Sequence, residues 1–316
     1  DAARSAVDTA SAGYTPLGPS YPTRSTGRRA ALARWITDRK NPLTARVAVN
    51  HVWRWHFGQP LVETTFDFGR NGKPPTHPAL LDWLAVELID SDWNLKHLHR
   101  LIVTSDAYRM RSSRGDDSET NRERDPQNVS YWRFPSNRME AEAVRDGLLA
   151  VAGLLDREMY GPDVDQSKGP TVLRRSLYFT HHGETRMTFL DLFDAADPSE
   201  CYRRRTSIVP QQALALSNNE TSVTAAANLE SRLWSQAVAL PEEQRREAFV
   251  VAAFEQILSR QPSPAEQALV AEFLKRQAAL QQEDTQSGAE PLAAETRARR
   301  GLIRALFNHN DFVTVR

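Results

Sequence analysis

A chain of 316 residues with 40 basic and 40 acidic side chains carries no formal net charge. That removes the non-specific pull toward nucleic acid or anionic membrane that a basic surface supplies. A single cysteine excludes an internal disulfide and a multi-cysteine zinc or iron–sulfur site, and no apolar run is long enough to span a bilayer.

Residues 1–26 are rich in Ser, Thr, Ala, Gly and Pro, with no apolar period and no signal-peptide run. They read as a linker or extended strap of a larger protein. Residues 27–316 read as one helical domain in three stretches: a helical half over 27–156, an irregular segment over 157–210 and a second helical half over 211–316.

Ala31, Leu32, Trp35 and Ile36 share one helical face. Asn41-Pro42 predicts a helix start, with Asn capping free N–H groups and Pro at the first position. The following helix, to Phe57, is apolar almost all round, so it is expected at the centre of a core. That places Trp53 and Trp55 inside, and Trp83 of the next helix likewise. Gly58 can end the helix, and the glycines and prolines of 58–76 predict an ordered loop. Helices follow from Pro78 (Leu80, Leu81, Leu84, Leu88) and after Asn94 (Leu95, Leu98, Leu101, Ile102). Residues 112–130 are polar and read as a surface excursion.

Asn137 and Glu140 predict a capping box before a helix carrying Val144, Leu148, Val151 and Leu155. Between 157 and 210 a short strand is expected at 174–179 and a short helix at 187–193. Helices resume at Pro210, near Ser222 and at Pro241. Ser263-Pro264-Ala265-Glu266 is a second capping box, and a last helix carries Leu302, Ile303, Leu306 and Phe307. The predicted fold class is mainly α: a multi-helix globular domain whose irregular middle holds at most a few short strands.

Local chemistry is sparse. His51 and His56 are five apart, about 140° round a helix, and His97 and His99 face opposite ways, so no metal site is predicted. One assembled across segments would need residues such as His51, His77 and Asp82. No Cys-x-x-Cys-His occurs, so covalent haem and any other cofactor are not expected. No nucleophile elbow, P-loop or dinucleotide fingerprint occurs. Three arginines beside Cys201 would favour its thiolate. Arg supplies 35 of the 40 basic residues. Arg174, Arg175, Arg203, Arg204 and Arg205 are expected to pair with Asp191, Asp194 and Asp197, or to hold an anionic ligand such as a sulfated or uronic sugar.

Several blocks carry a resemblance. Arg29–Trp35, Asn41–Trp53, His56-Phe57-Gly58, Asp67-Phe68-Gly69 and Pro75-Thr76-His77-Pro78 form the first group. Leu80–Leu84, Leu101–Ser105, Arg138–Glu142 with Arg145-Asp146, Phe193–Pro198 and Val209–Leu216 form the second. Together they resemble a planctomycete-type domain of unknown function, the C-terminal PSD-type domain of large exported proteins. The match covers roughly residues 28–316. His51 stands where that pattern usually has Arg, and the family brings no established catalytic residues. The resemblance implies a periplasmic or cell-envelope location. It also implies partner modules in the same parent protein, cytochrome-c-like and a second helical domain, and a link to polysaccharide utilisation.

An Asp or a His in an ordered loop is not explained by packing, and Asn50 and Arg54 share a helix face. Asn50, Arg54, Asp67, His77 and Asp82 are therefore expected to converge, as a hydrogen-bond network pinning the loop or as a pocket. The expected function is an accessory domain binding a glycan or a partner cytochrome-like module, with no nucleic-acid partner. A carbohydrate-active hydrolase using Asp and His of that loop, and a purely structural module, stay open, and so does enzymatic activity.

Overall fold

The computed structural model of the chain describes residues 24–112, 118–199, 204, 206–283 and 291–315. The strap expected over 1–26 lies, but for 24–26, outside the described residues, as do Cys201, Arg203 and Arg205. Among the described residues the chain is mainly α-helical, with one two-stranded sheet. It divides between Val103 and Thr104 into two compact units.

In the first unit, α1 (Arg28–Ile36) buries no side chain, and Trp35 is 59% exposed. Asn41 Oδ1 accepts from the N–H groups of Leu43 and Thr44 at 3.0 and 3.2 Å, so the predicted cap forms. Pro42 stands before α2 (Thr44–Phe57) rather than at its first position. The helix is not apolar-buried all round. Ala45, Val49, Trp53 and Phe57, four apart, form one buried stripe with Asn50 beside it. Trp55 and, on α3, Trp83 are 48% and 49% exposed, which corrects their placing in a core. They lie off the stripes through which α2 and α3 pack. Gly58 ends α2 in the left-handed region at φ 74°. The α3 helix (Pro78–Asp90) buries Leu81, Leu84, Ala85 and Leu88. The next, α4 (Leu95–Thr104), buries Leu98 and Ile102.

The second unit begins with α5 (Asp106–Arg109) and α6 (Ser118–Arg124), so part of the polar stretch is helical. Asn137 does not cap a helix. It lies in β1 (Asn137–Arg138), paired antiparallel with β2 (Thr314–Val315), because the ladder takes its backbone groups. The α7 helix (Ala141–Val151) follows, with Glu140 before it and no side-chain cap. The middle segment holds 3₁₀ turns at Gln166–Lys168 and Ser176–Tyr178 and α8 (Thr188–Leu192). The strand expected at 174–179 reduces to single parallel bridges, Asp156 with Arg174 and Val164 with Phe179.

Five helices complete the unit: α9 (Pro210–Asn218), α10 (Glu220–Ala237), α11 (Glu242–Leu258), α12 (Pro264–Glu283) and α13 (Pro291–Phe307). The second capping box forms as expected: Ser263 N–H donates to Glu266 Oε2 at 2.8 Å and Glu266 N–H to Ser263 Oγ at 3.3 Å. Val144 and Leu148 of α7 meet Leu229, Phe249, Ala253, Ile303 and Phe307 in the core. Inside it, Arg299 Nε donates to Glu230 Oε1 at 2.7 Å and its guanidinium lies 3.8 Å from the Trp234 ring centroid. Both charges are buried, and partnering is what makes such burial tolerable.

Candidate functional site

In the first unit Asn50, Asp67, His77 and Asp82 each make a hydrogen bond within α2, α3 and the loop between them. Asn50 is fully buried and bonds both backbone groups of Val62, accepting from N–H at 2.8 Å and donating to the carbonyl at 3.0 Å. It thereby ties α2 to the loop. Asp67 Oδ1 accepts from Gly69 N–H at 2.7 Å, which shapes a turn. Arg46 donates to Asp82 Oδ1 at 2.6 Å and holds that carboxyl below its ordinary range. His77 precedes α3, its Nδ1 3.1 Å from Thr76 Oγ1. The Arg54 guanidinium lies 6.0 Å from the Trp55 ring centroid. It also helps, after burial, to lower the His51 pKa.

The arginines and aspartates of the middle segment also find other partners than those expected. Arg174 lies 4.0 Å from the Tyr178 ring centroid and donates to the Tyr160, Glu158 and Pro162 carbonyls. Arg175 precedes the second 3₁₀ turn. Asp194, at φ 61°, accepts from the N–H and hydroxyl of Ser207. Asp197 accepts from Ser199. Asp191 stands 3.7 Å from Arg186. Arg204 donates to Glu142 at 2.9 and 3.1 Å and stands 3.6 Å from Glu140.

What organises this region is Arg145. It sits on the inward face of α7, only 1% exposed, where its neighbours Val144, Leu148 and Leu149 are apolar. Its guanidinium donates to the carbonyls of Val172 (2.7 Å), Gly169 (3.0 Å) and Arg174 (3.0 Å) and to Ser176 Oγ (3.3 Å). It lies 4.9 Å from the Phe179 ring centroid. Burial pulls its pKa down, and Asp146, 3.5 Å away, opposes that. Asp146 in turn accepts from Ser176 N–H and Oγ at 2.8 and 2.6 Å. One helix face thus holds the 169–176 strap in place. Gln212, nearly buried, adds a second tie: it accepts from Arg138 at 2.7 Å and donates to the Leu192 carbonyl at 2.8 Å.

A cleft of about 360 Å³ reaches Ser176 at the end of this strap and is lined by Glu140, Glu142, Gln166, Phe179, His181 and Arg204, among others. Gln166 is 6% exposed, and its Nε2 has no hydrogen-bond partner among the described residues. A second cleft, of about 530 Å³, shares Gln166, Arg186 and Met187 with the first. Sequence reasoning passed over Arg145, Asp146, Glu142 and Gln166 as site residues. The available signal was a charged residue inside the apolar stripe of α7.

Among the described residues, no group of three or more His, Cys, Asp or Glu is placed to hold a metal ion. No helix among them is long and apolar enough to cross a membrane. A family profile described as PSD1, protein of unknown function (DUF1553), matches residues 28–274. No curated protein and no solved structure matches the chain. The chain belongs to the PSD1 (DUF1553) family.

Proposed function

We propose that the chain is an accessory binding domain that takes a glycan in the cleft beside Gln166. One observation carries this reading: Gln166 lines the cleft, and its buried amide Nε2 has no hydrogen-bond partner among the described residues. A buried N–H without a partner costs about 1–3 kcal/mol, and Nε of Arg204, which lines the same cleft, is likewise without one among the described residues. A ligand oxygen would satisfy the Gln166 amide. The lining offers what a saccharide needs: the Phe179 ring, the Thr180 hydroxyl, and carboxylates and guanidinium groups that act as acceptors and donors.

Binding is favoured over hydrolysis by how the carboxylates are used. A glycosidase needs one carboxyl to deliver a proton and a second to act as base or nucleophile. Both Glu142 oxygens accept from Arg204. In the first unit, Asp82 is taken by Arg46 and Asp67 by its own turn. The resemblance supplies the setting we propose: an exported envelope protein engaged in polysaccharide utilisation, with cytochrome-c-like and second helical modules as partners in the same parent chain. The test is nitrogen-15 NMR of the Gln166 side-chain amide during titration with neutral oligosaccharides. The proposal predicts a saturable shift of that resonance. Saturable binding that leaves it unmoved, or no binding by any saccharide, overturns it.

A further inference from the structure

The two clefts meet at Gln166, Arg186 and Met187, which line both. Each alone falls within the roughly 300–1,000 Å³ typical of small-ligand sites. The second is lined by Ser167, Thr185, Thr188 and Thr221, whose hydroxyls donate and accept, and by Phe189. The two arginines of the first cleft each stand beside a carboxylate. Arg204 is taken by Glu142 and Glu140, and Arg186 stands beside Asp191. In the second, Arg145 is saturated by carbonyls, and Asp165 keeps its charge through bonds from Ser167. A strongly anionic or cationic ligand would compete with these contacts. An uncharged ligand leaves them intact.

We infer that the two clefts are adjoining subsites of one groove that seats at least two units of an uncharged oligosaccharide, with Gln166 donating at the junction. This rests on the glycan reading above and adds ligand length and charge to it. The wall shared by the two clefts is tightly packed at Met187. A Cβ at Gly169 would stand 2.6 Å from the Met187 methyl and 2.8 Å from its sulfur. Glycine there leaves room for the Met187 side chain, which alanine would displace. The Gly169 backbone is right-handed helical, at φ −50° and ψ −40°, so alanine introduces crowding and no backbone strain.

The test is calorimetric titration of the whole chain with neutral gluco-, xylo-, manno- and galacto-oligosaccharides of one to six units, and with sulfated counterparts. The inference predicts that affinity rises at least tenfold, about 1.4 kcal/mol, from one unit to two or three and then levels off. Sulfated chains should bind no tighter. Gly169→Ala should reduce the gain from added units. Should Gly169→Ala fail to fold, Thr185→Trp, at an exposed position on the second cleft, should block that subsite to the same effect. Binding without length dependence, or tighter binding of sulfated chains, overturns this inference while the glycan reading survives. Binding of no saccharide overturns both.

Discussion

Replacing Arg145 by Met keeps an unbranched side chain of similar reach and removes every donor. Three carbonyls, those of Gly169, Val172 and Arg174, and the Ser176 hydroxyl lose their partner at once. Each orphaned buried acceptor costs about 1–3 kcal/mol. Two terms offset part of that. The buried guanidinium no longer pays its own desolvation, and cleft water reaches some of the freed carbonyls. The net expectation is a loss of about 3–5 kcal/mol, in the range found when one partner of a buried charged network is removed. Arg145→Lys keeps the charge but not the planar fork, and should recover only part of the loss. The assay is urea unfolding of the whole chain followed by circular dichroism, comparing wild type and both variants. A loss under about 1 kcal/mol for Arg145→Met would mean the strap is held by something else, and the organising role given to this side chain would be wrong.

Other substitutions probe the supporting structure. Asn50→Ala strands both backbone groups of Val62 and should cost about 2–4 kcal/mol in thermal or urea unfolding, whereas a loss under 1 would contradict the pinning role. Gly72→Ala puts a Cβ 2.1 Å from the Asp67 carbonyl oxygen; it should destabilise the first unit, seen as faster hydrogen exchange over 61–76. Bonds from Arg260 and Ser263 hold the Glu266 carboxyl at about 2, below its ordinary 4.5. A depressed carboxyl stabilises the fold above its unfolded pKa and loses that contribution as pH falls. The stability gap between wild type and Glu266→Gln should therefore be full above about pH 5 and close as pH falls toward 2. A gap independent of pH would rule out the ion pair as its source.

The helical skeleton was readable because its signals are local. Asn41 caps within three residues, Ser263 and Glu266 cap each other, and Ala45, Val49, Trp53 and Phe57 repeat at one spacing. Misreadings arose where a residue type was counted without its partner. Trp55 and Trp83 raised the apparent apolarity of α2 and α3 but lie off the buried stripes. Asn137 fits a capping box, yet its backbone pairs with Val315, far along the chain. The cleft was least legible because its defining contacts are long-range. The acceptors of Arg145 lie 24–31 residues downstream, and Gln166 stands out only because nothing among the described residues accepts from its Nε2. Asp194 was noticed, but pairing it with arginine overlooked Ser207, whose N–H and hydroxyl it accepts from.

The central claim is that Gln166 is kept for a ligand and not for the fold. Gln166→Met separates the two, because Met fills similar volume without a polar group. Unfolding of the free protein and calorimetric titration should be run on the same sample, with the neutral oligosaccharide that wild type binds most tightly. The account predicts that the variant is as stable as wild type or more so, since an unsatisfied donor has been removed, and binds at least about tenfold more weakly. A variant that loses stability yet binds undiminished would contradict it.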